Sequence, residues 1–199
     1  MLQKKLVLGS SSPYRKELLE RLGVPFECVC ADIDESRREG ESPENLCVRL
    51  AREKALKVKS MVGDAIVIGS DQVAVLGERI LGKPHTRERA IEQLCSMQGQ
   101  TVHFLTALCI IGEKGEIFET MVPTVVTMKK LSLKTIENYL DREQPFNCAG
   151  SAKIEKLGIA LMKEVRSTDP TALIGLPLIE TVNLLAQAGL EIIEGIGEA

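Results

Sequence analysis

Tryptophan is absent from this chain of 199 residues, and aromatic residues make up only 3% of it, so the position of each Tyr and Phe carries information. Histidine occurs twice, at His85 and His103, and none of the six cysteines (Cys28, Cys30, Cys47, Cys95, Cys109, Cys148) forms a C-x-x-C pair. That argues against a zinc site of Cys and His ligands. Most of the cysteines sit in apolar patterns and read as reduced core thiols of a cytosolic protein. No apolar run reaches the length of a membrane span, and the start has no charged-then-apolar leader, so the expected location is the cytoplasm and no membrane partner is expected. A formal charge of −3 argues against nucleic acid as a partner and leaves room only for a local basic site. No G-x-x-x-x-G-K-[ST] occurs, which excludes a P-loop. Low-complexity tracts, repeats and linkers rich in Gly, Pro or Ser are also missing, so residues 1–199 are expected to form a single domain.

What is present is an ordinary globular composition, 44% hydrophobic and 27% charged, with strands and helices in alternation. Leu6–Gly9 and Phe26–Cys30 read as strands flanking a helix from Pro13 that stops at Gly23. Ser42-Pro43 opens a long helix to about Met61. Ala65–Gly77 reads as a buried strand continuing past a polar interruption at Ser70-Asp71-Gln72. Thr86–Met97 is helical by pattern. Thr101–Ile111 and Ile117–Met128, joined around Lys114-Gly115, read as a β-hairpin. Helices follow Ser132 and Pro177. The fold class implied is α/β, with helices flanking a twisted mixed sheet, and sites belong at the polar breaks of its strands.

The stretch Ser10-Ser11-Ser12-Pro13-Tyr14-Arg15-Lys16 departs from ordinary capping. Ser12 suits an N-cap and Pro13 the first helical position, but the third position holds Arg15 where Glu or Gln would complete a capping box. Positive charge at a helix N-terminus opposes the helix dipole. A turn of serines with exposed N–H groups, plus the planar fork of Arg15, suits an anion such as phosphate. A capped surface helix with solvated cations, Lys16 pairing with Glu20, is the alternative.

Cys47, Ala51, Val58 and Met61 mark the buried stripe of the second long helix, and Lys54 falls on it. A lysine there either snorkels to the rim or reaches a cavity holding carboxylates or phosphates. Asp71 follows the apolar run AIVIG and is expected to emerge at a strand end, and Asp32-Ile33-Asp34-Glu35 forms an acidic loop. Lys83 sits in the rigid loop Gly82-Lys83-Pro84. The small-residue segment from Asn147 to Glu155 either admits a ligand close to its backbone or is a plain turn. Three cations (Arg15, Lys54, Lys83) with two carboxylates (Glu35, Asp71) suit a polyphosphate and its divalent metal.

The motifs LGSSSPYRKELLERLG, DIDES, LAREKA, IGSDQV, LGKP, CAGSAKIE and IGLPL resemble, in this order and from Leu6 to about Leu178, the Maf family of nucleotide pyrophosphatases. The resemblance implies two lobes around a cleft, similar in architecture to inosine-triphosphate pyrophosphatases. It also implies metal-dependent cleavage of a nucleoside triphosphate to monophosphate and pyrophosphate, with Mg²⁺, Mn²⁺ or Co²⁺ as cofactor. Carried onto this chain, Ser10, Ser12, Arg15, Lys54 and Lys83 would bind phosphates. Glu35 would help hold the metal, with Asp71 beside it, and Asp71 would take the proton of the attacking water. A homodimer is the expectation by family analogy.

Three positions depart from the commonest pattern of the family. Tyr14 stands where members similar to dTTP and UTP pyrophosphatases have Arg, Gln72 where they have Thr, and Glu155 where they have Gln. Tyr, Gln and Glu there resemble the branch that hydrolyses 7-methyl-GTP, preventing incorporation of modified nucleotides. An aromatic face attracts a ring made cationic by N7-methylation, and a carboxylate accepts from the guanine N1–H and amino group. The alternatives are a dTTP/UTP pyrophosphatase, a nucleotide-binding regulator linked with cell-division arrest, and, for Tyr14 alone, a helix-surface residue packing under the loop.

Overall fold

Among the described residues, four of the five α-helices begin one residue after a side chain that caps them. The computed structural model describes residues 4–193. In chain order its elements are β1 (Leu6–Leu8), α1 (Pro13–Glu20), β2 (Glu27–Cys28), α2 (Pro43–Val62), β3 (Ile66–Leu76), β4 (Arg79–Leu81) and α3 (Arg87–Met97). They continue with β5 (Thr101–Ile111), β6 (Ile117–Met128), α4 (Leu133–Glu143), β7 (Met162–Ser167) and α5 (Leu178–Gln187), with short 3₁₀ turns between. Ser12, Ser42, Thr86 and Ser132 each accept a hydrogen bond from the backbone N–H three residues on, opening α1, α2, α3 and α4. This satisfies an amide that the first turn leaves unpaired.

The protein is an α/β fold on an open sheet of seven strands, ordered β2-β1-β3-β5-β6-β7 with β4 pairing on β3. The sheet is mixed. β1 runs parallel to β2 and β3, whereas β3–β4 and β6–β7 are antiparallel. The chain divides into two compact units, one comprising residues 4–71, 106–122 and 169–193 and the other residues 72–105 and 123–168. Strands β3, β5 and β6 each give one half to either unit.

The core of the first unit is aliphatic: Leu6, Leu8, Ile66 and Ile68 from the parallel strands, Leu18 and Leu19 from α1, Leu108 and Ile110 from β5, and Leu184 and Leu185 from α5. Helix α2 lies close on β3, because a Cβ at Gly69 would collide with the backbone of Ala51 and Ala55. Only glycine permits that approach. The second unit buries Leu94 and Met97 of α3, Val102 and Phe104 of β5, and Ile136, Tyr139 and Leu140 of α4.

Several expectations need correction. The strand read at Phe26–Cys30 shrinks to Glu27–Cys28, both exposed. Met61 lies outside the buried stripe of α2, at 58% exposure, and the stripe ends at Val58. Only Cys47 and Cys109 are buried thiols, while Cys28 and Cys30 face solvent. Asp71 stands in the middle of β3 rather than at a strand end. The strand continues through the polar break because Ser70 and Asp71 both find buried partners. β4 and β7 carry charge on short edge segments and lack the apolar alternation by which strands are read.

Candidate functional site

The first unit holds most of the candidate residues, and the turn after β1 begins the site. Gly9 N–H donates to the Ile68 carbonyl at 2.7 Å, ending the strand. Ser10 is buried, and its Oγ accepts from Ser12 N at 3.1 Å and from Arg15 Nη1 at 3.4 Å. Arg15 is half-buried, and its Nε donates to the Gly175 carbonyl at 2.8 Å. That carbonyl also accepts from Ser70 Oγ at 3.1 Å. The pair i,i+4 between Lys16 and Glu20 forms as well, at 3.7 Å on the exposed face.

One peptide bond beyond Ser70 lies Asp71. Lys54 Nζ is 2.7 Å from Asp71 Oδ1 and 2.7 Å from Glu35 Oε1. Lys54 does not snorkel: it is 7% exposed, as is Asp71. A buried ammonium and carboxylate are tolerable because each compensates the other. Cys47 on the same helix donates its S–H to the Asp71 carbonyl at 3.3 Å, so α2 holds both the side chain and the backbone of Asp71. Glu35 remains largely open to solvent at its side chain.

The acidic loop separates its members by role. Asp34 accepts from Ser36 N at 2.9 Å, which holds its carboxyl below the ordinary range and folds the loop back on itself. Glu35 is the residue left reaching to Lys54. Arg49 of α2 grips this loop. Its Nε and Nη2 bond both oxygens of Glu41 at 2.6 and 2.9 Å, Nη1 meets Glu53 at 3.0 Å, and Nη2 donates to the Ser36 carbonyl at 3.0 Å. The bidentate hydrogen bonds from Arg49 hold the Glu41 carboxyl down at about 2 and raise Arg49 further.

Sequence reasoning missed the residues that carry Gly175. Asp169, 1% exposed, accepts from Thr171 N and Oγ1 at 2.9 and 2.8 Å and from Ile179 N at 2.7 Å, so it caps α5 from a distance. Thr171 Oγ1 lies 2.8 Å from the Leu176 carbonyl as well, so its single hydrogen is shared between that oxygen and Asp169, and it accepts from Leu178 N at 2.8 Å. The motif IGLPL pointed to this segment, but a backbone carbonyl has no signature in sequence.

The second unit holds the other three candidates. Gln72 is half-buried in β3, Lys83 is exposed in the loop after β4, and Glu155 is half-buried in a turn after a 3₁₀ segment. That turn is built firmly. Tyr139 Oη donates to the Ser151 carbonyl and accepts from Lys153 N, and burial pushes the phenol pKa up. Gly150 has φ 68° and rests against Phe104, Ala74 and Met97.

For a divalent metal, the donor chemistry is a pair of carboxylates, Asp71 and Glu35, converging on one ammonium. Hard oxygen donors of this kind suit Mg²⁺ or Mn²⁺ when substrate phosphates complete the coordination. No group of three or more His, Cys, Asp or Glu side chains clusters among the described residues. The residues therefore fit a cation shared with a polyphosphate and not a self-sufficient protein cage.

The family model described as "Maf-like protein" matches residues 5–188, and the chain belongs to that family. It is 53% identical over 189 residues to a 7-methyl-GTP pyrophosphatase of Nitrosococcus oceani, covering 94% of this chain and 95% of the relative. It is 49% identical to another so named from Colwellia psychrerythraea, covering 96% of each. Among solved structures, the Ham1 protein of Staphylococcus aureus is similar over 63% of this chain and 72% of its own, with 16% identity and a TM-score of 0.46.

Proposed function

We propose that the protein is a metal-dependent nucleoside triphosphate pyrophosphatase that hydrolyses 7-methyl-GTP to 7-methyl-GMP and pyrophosphate. The observation that carries this reading is the convergence of Glu35 and Asp71 on buried Lys54, with Ser70 next to Asp71 tied through Gly175 to Arg15. The names of the relatives at about half identity support the choice of substrate.

In this reading the N-terminus of α1, with Ser10, Ser12 and Arg15, receives phosphate oxygens, and Lys54 and Lys83 offset further charge. Asp71 accepts the proton of the water that attacks the α-phosphorus. Its place inside a strand holds it in one orientation, as a general base requires. Lys54 Nζ, 2.7 Å from Asp71 Oδ1, holds that carboxylate in place. Glu35, with Asp71 beside it, would hold Mg²⁺, Mn²⁺ or Co²⁺, which when bound supplies positive charge to the transferring group and the leaving pyrophosphate.

Tyr14, on the first turn of α1, offers an aromatic face to the cationic methylated ring, an attraction typically worth about 0.5–2 kcal/mol. Glu155 accepts from the guanine edge, and Gln72 shapes the base or ribose pocket. The substrate and its metal belong to the cytoplasmic nucleotide pool, and no helix among the described residues is long and apolar enough to cross a membrane.

The test is pyrophosphate release by purified protein with Mg²⁺ or Mn²⁺ across a panel of nucleotides. Preference for 7-methyl-GTP is expected. Turnover of UTP or dTTP as fast or faster would overturn the substrate, and no release from any nucleotide would overturn the activity.

A further inference from the structure

Gln93 lies on α3, outside every motif by which the site was read, and its amide is committed at both ends. Its Oε1 accepts from Ser151 Oγ at 2.6 Å, and its Nε2 donates to the Gly82 carbonyl at 2.9 Å. Gly82 immediately precedes Lys83, and Ser151 opens the turn that carries Glu155. One side chain therefore spans the loop of a phosphate cation and the loop of a base-reading carboxylate, both within the second unit.

The loops need such a brace. Gly82 and Lys83 are exposed and outside regular structure. Two positive-φ residues stand at their roots, His85 at 62° and Ser151 at 56°. Neither conformation is favoured by a side chain, so the surroundings must hold it. On the Ser151 side Tyr139 and Gly150 provide support, as described. On the Lys83 side, His85 N donates to the Phe146 carbonyl at 3.0 Å, and the Gly82 carbonyl is gripped by Gln93. An amide suits this bridge because it offers an acceptor and a donor on one rigid plane. Glutamate could serve only the Ser151 end, and a hydrocarbon neither.

We infer that Gln93 is a positioning residue that couples the Lys83 loop to the Glu155 loop, so that phosphate binding and base recognition are set by one side chain. The inference rests on the functional reading above, in which Lys83 meets phosphate and Glu155 meets the base. Three variants separate its two halves. Gln93→Glu keeps the acceptor for Ser151 and loses the donor to Gly82. Ser151→Ala releases the Glu155 side alone. Gln93→Met releases both.

Steady-state kinetics with 7-methyl-GTP and UTP and amide hydrogen exchange over residues 79–86 and 149–158 test it together. Gln93→Glu is expected to raise KM for both nucleotides by a similar factor, with their selectivity ratio kept. Ser151→Ala is expected to lower the ratio of kcat/KM for 7-methyl-GTP over UTP by about tenfold, the scale of a modest misplacement. Gln93→Met is expected to do both and to speed exchange in the two segments together. Wild-type kinetics in all three variants, or losses in Gln93→Glu and Ser151→Ala that follow only the folded fraction, would overturn the inference. Exchange rising in only one segment of Gln93→Met would overturn the coupling. A wild-type protein that releases no pyrophosphate, with exchange still coupled, would instead overturn the functional reading and uphold the brace.

Discussion

Arg15 Nε and the carbonyl oxygen of Gly175 are joined by a 2.8 Å hydrogen bond across 160 positions of sequence. The same oxygen holds Ser70, so the turn after the first strand, the middle of the third and the loop before the last helix meet at one acceptor. That loop is in turn held by Asp169. Asp169→Ala should leave the N–H groups of Thr171 and Ile179 without their acceptor and destabilise the protein by about 2 kcal/mol. Urea unfolding with an unchanged m-value measures it. Activity should fall more than stability explains, because Arg15 loses its anchor, and a fully active folded variant would contradict that.

Asp71→Asn keeps the shape of the side chain and removes its basicity. The expected result is a loss in kcat of about 10²–10⁴-fold, the usual worth of a positioned base. Nucleotide binding, followed by calorimetry, should persist. Retained turnover would exclude Asp71 as the proton acceptor.

Removing Lys54 should damage the fold as well as the chemistry. Lys54→Met leaves Asp71 buried without its counter-charge, a change that typically costs about 3 kcal/mol or more. Adding Asp71→Asn to that background should recover part of the loss in thermal stability, and a double variant no more stable than Lys54→Met would contradict the pairing.

Base preference offers a test on two residues at once. Tyr14→Arg combined with Glu155→Gln should weaken the preference for 7-methyl-GTP over UTP, since Arg repels a cationic ring and Gln cannot balance its charge. Unchanged preference in a panel assay would remove both residues from base recognition.

Glu41 makes the loop grip dependent on acid. Its carboxyl titrates at about 2 in the folded protein against an ordinary value of 4.5. A depressed folded value means stability present above the unfolded pKa and lost as pH falls through the folded one. The difference in melting temperature between wild type and Glu41→Gln should therefore be full at pH 6, shrink below about pH 4.5, and vanish near pH 2. A constant difference would show that Glu41 acts by packing alone.

Thiol labelling should follow exposure. Cys28 and Cys30 should react readily in the folded protein, whereas burial pushes the Cys109 thiol up to about 12 and should keep it inert until unfolding. Rapid native labelling of Cys109, read by mass spectrometry, would contradict its environment.

Local order was legible in the sequence where local rules govern it. Helix starts at Ser12-Pro13, Ser42-Pro43 and Ser132 were legible because an N-cap satisfies amides within its own turn, whereas Thr86, read as helical by pattern, is the cap of α3. The hairpin of β5 and β6 was legible from apolar runs and a Gly turn, with Gly115 at φ 91°. Lys54 stood out because its period placed a charge on an apolar stripe. The short strands β2, β4 and β7 were shortened or missed because pairing with a neighbour, not their own pattern, defines them.

The sequence by itself determined the alternation of elements, the family resemblance and which side chains carry charge toward the strand breaks. Only the tertiary structure chose among equivalents. Asp34 and Glu35 are adjacent acids, and the fold turns one to Ser36 and the other to Lys54. Asp71 belongs to the middle of a strand because Lys54 and Gly175 satisfy the polar break. The bonds of Arg15 to Gly175 and of Gln93 to Gly82 end on main-chain carbonyls. Every residue has such a carbonyl, so its selection as a partner is decided by where the chain returns in space.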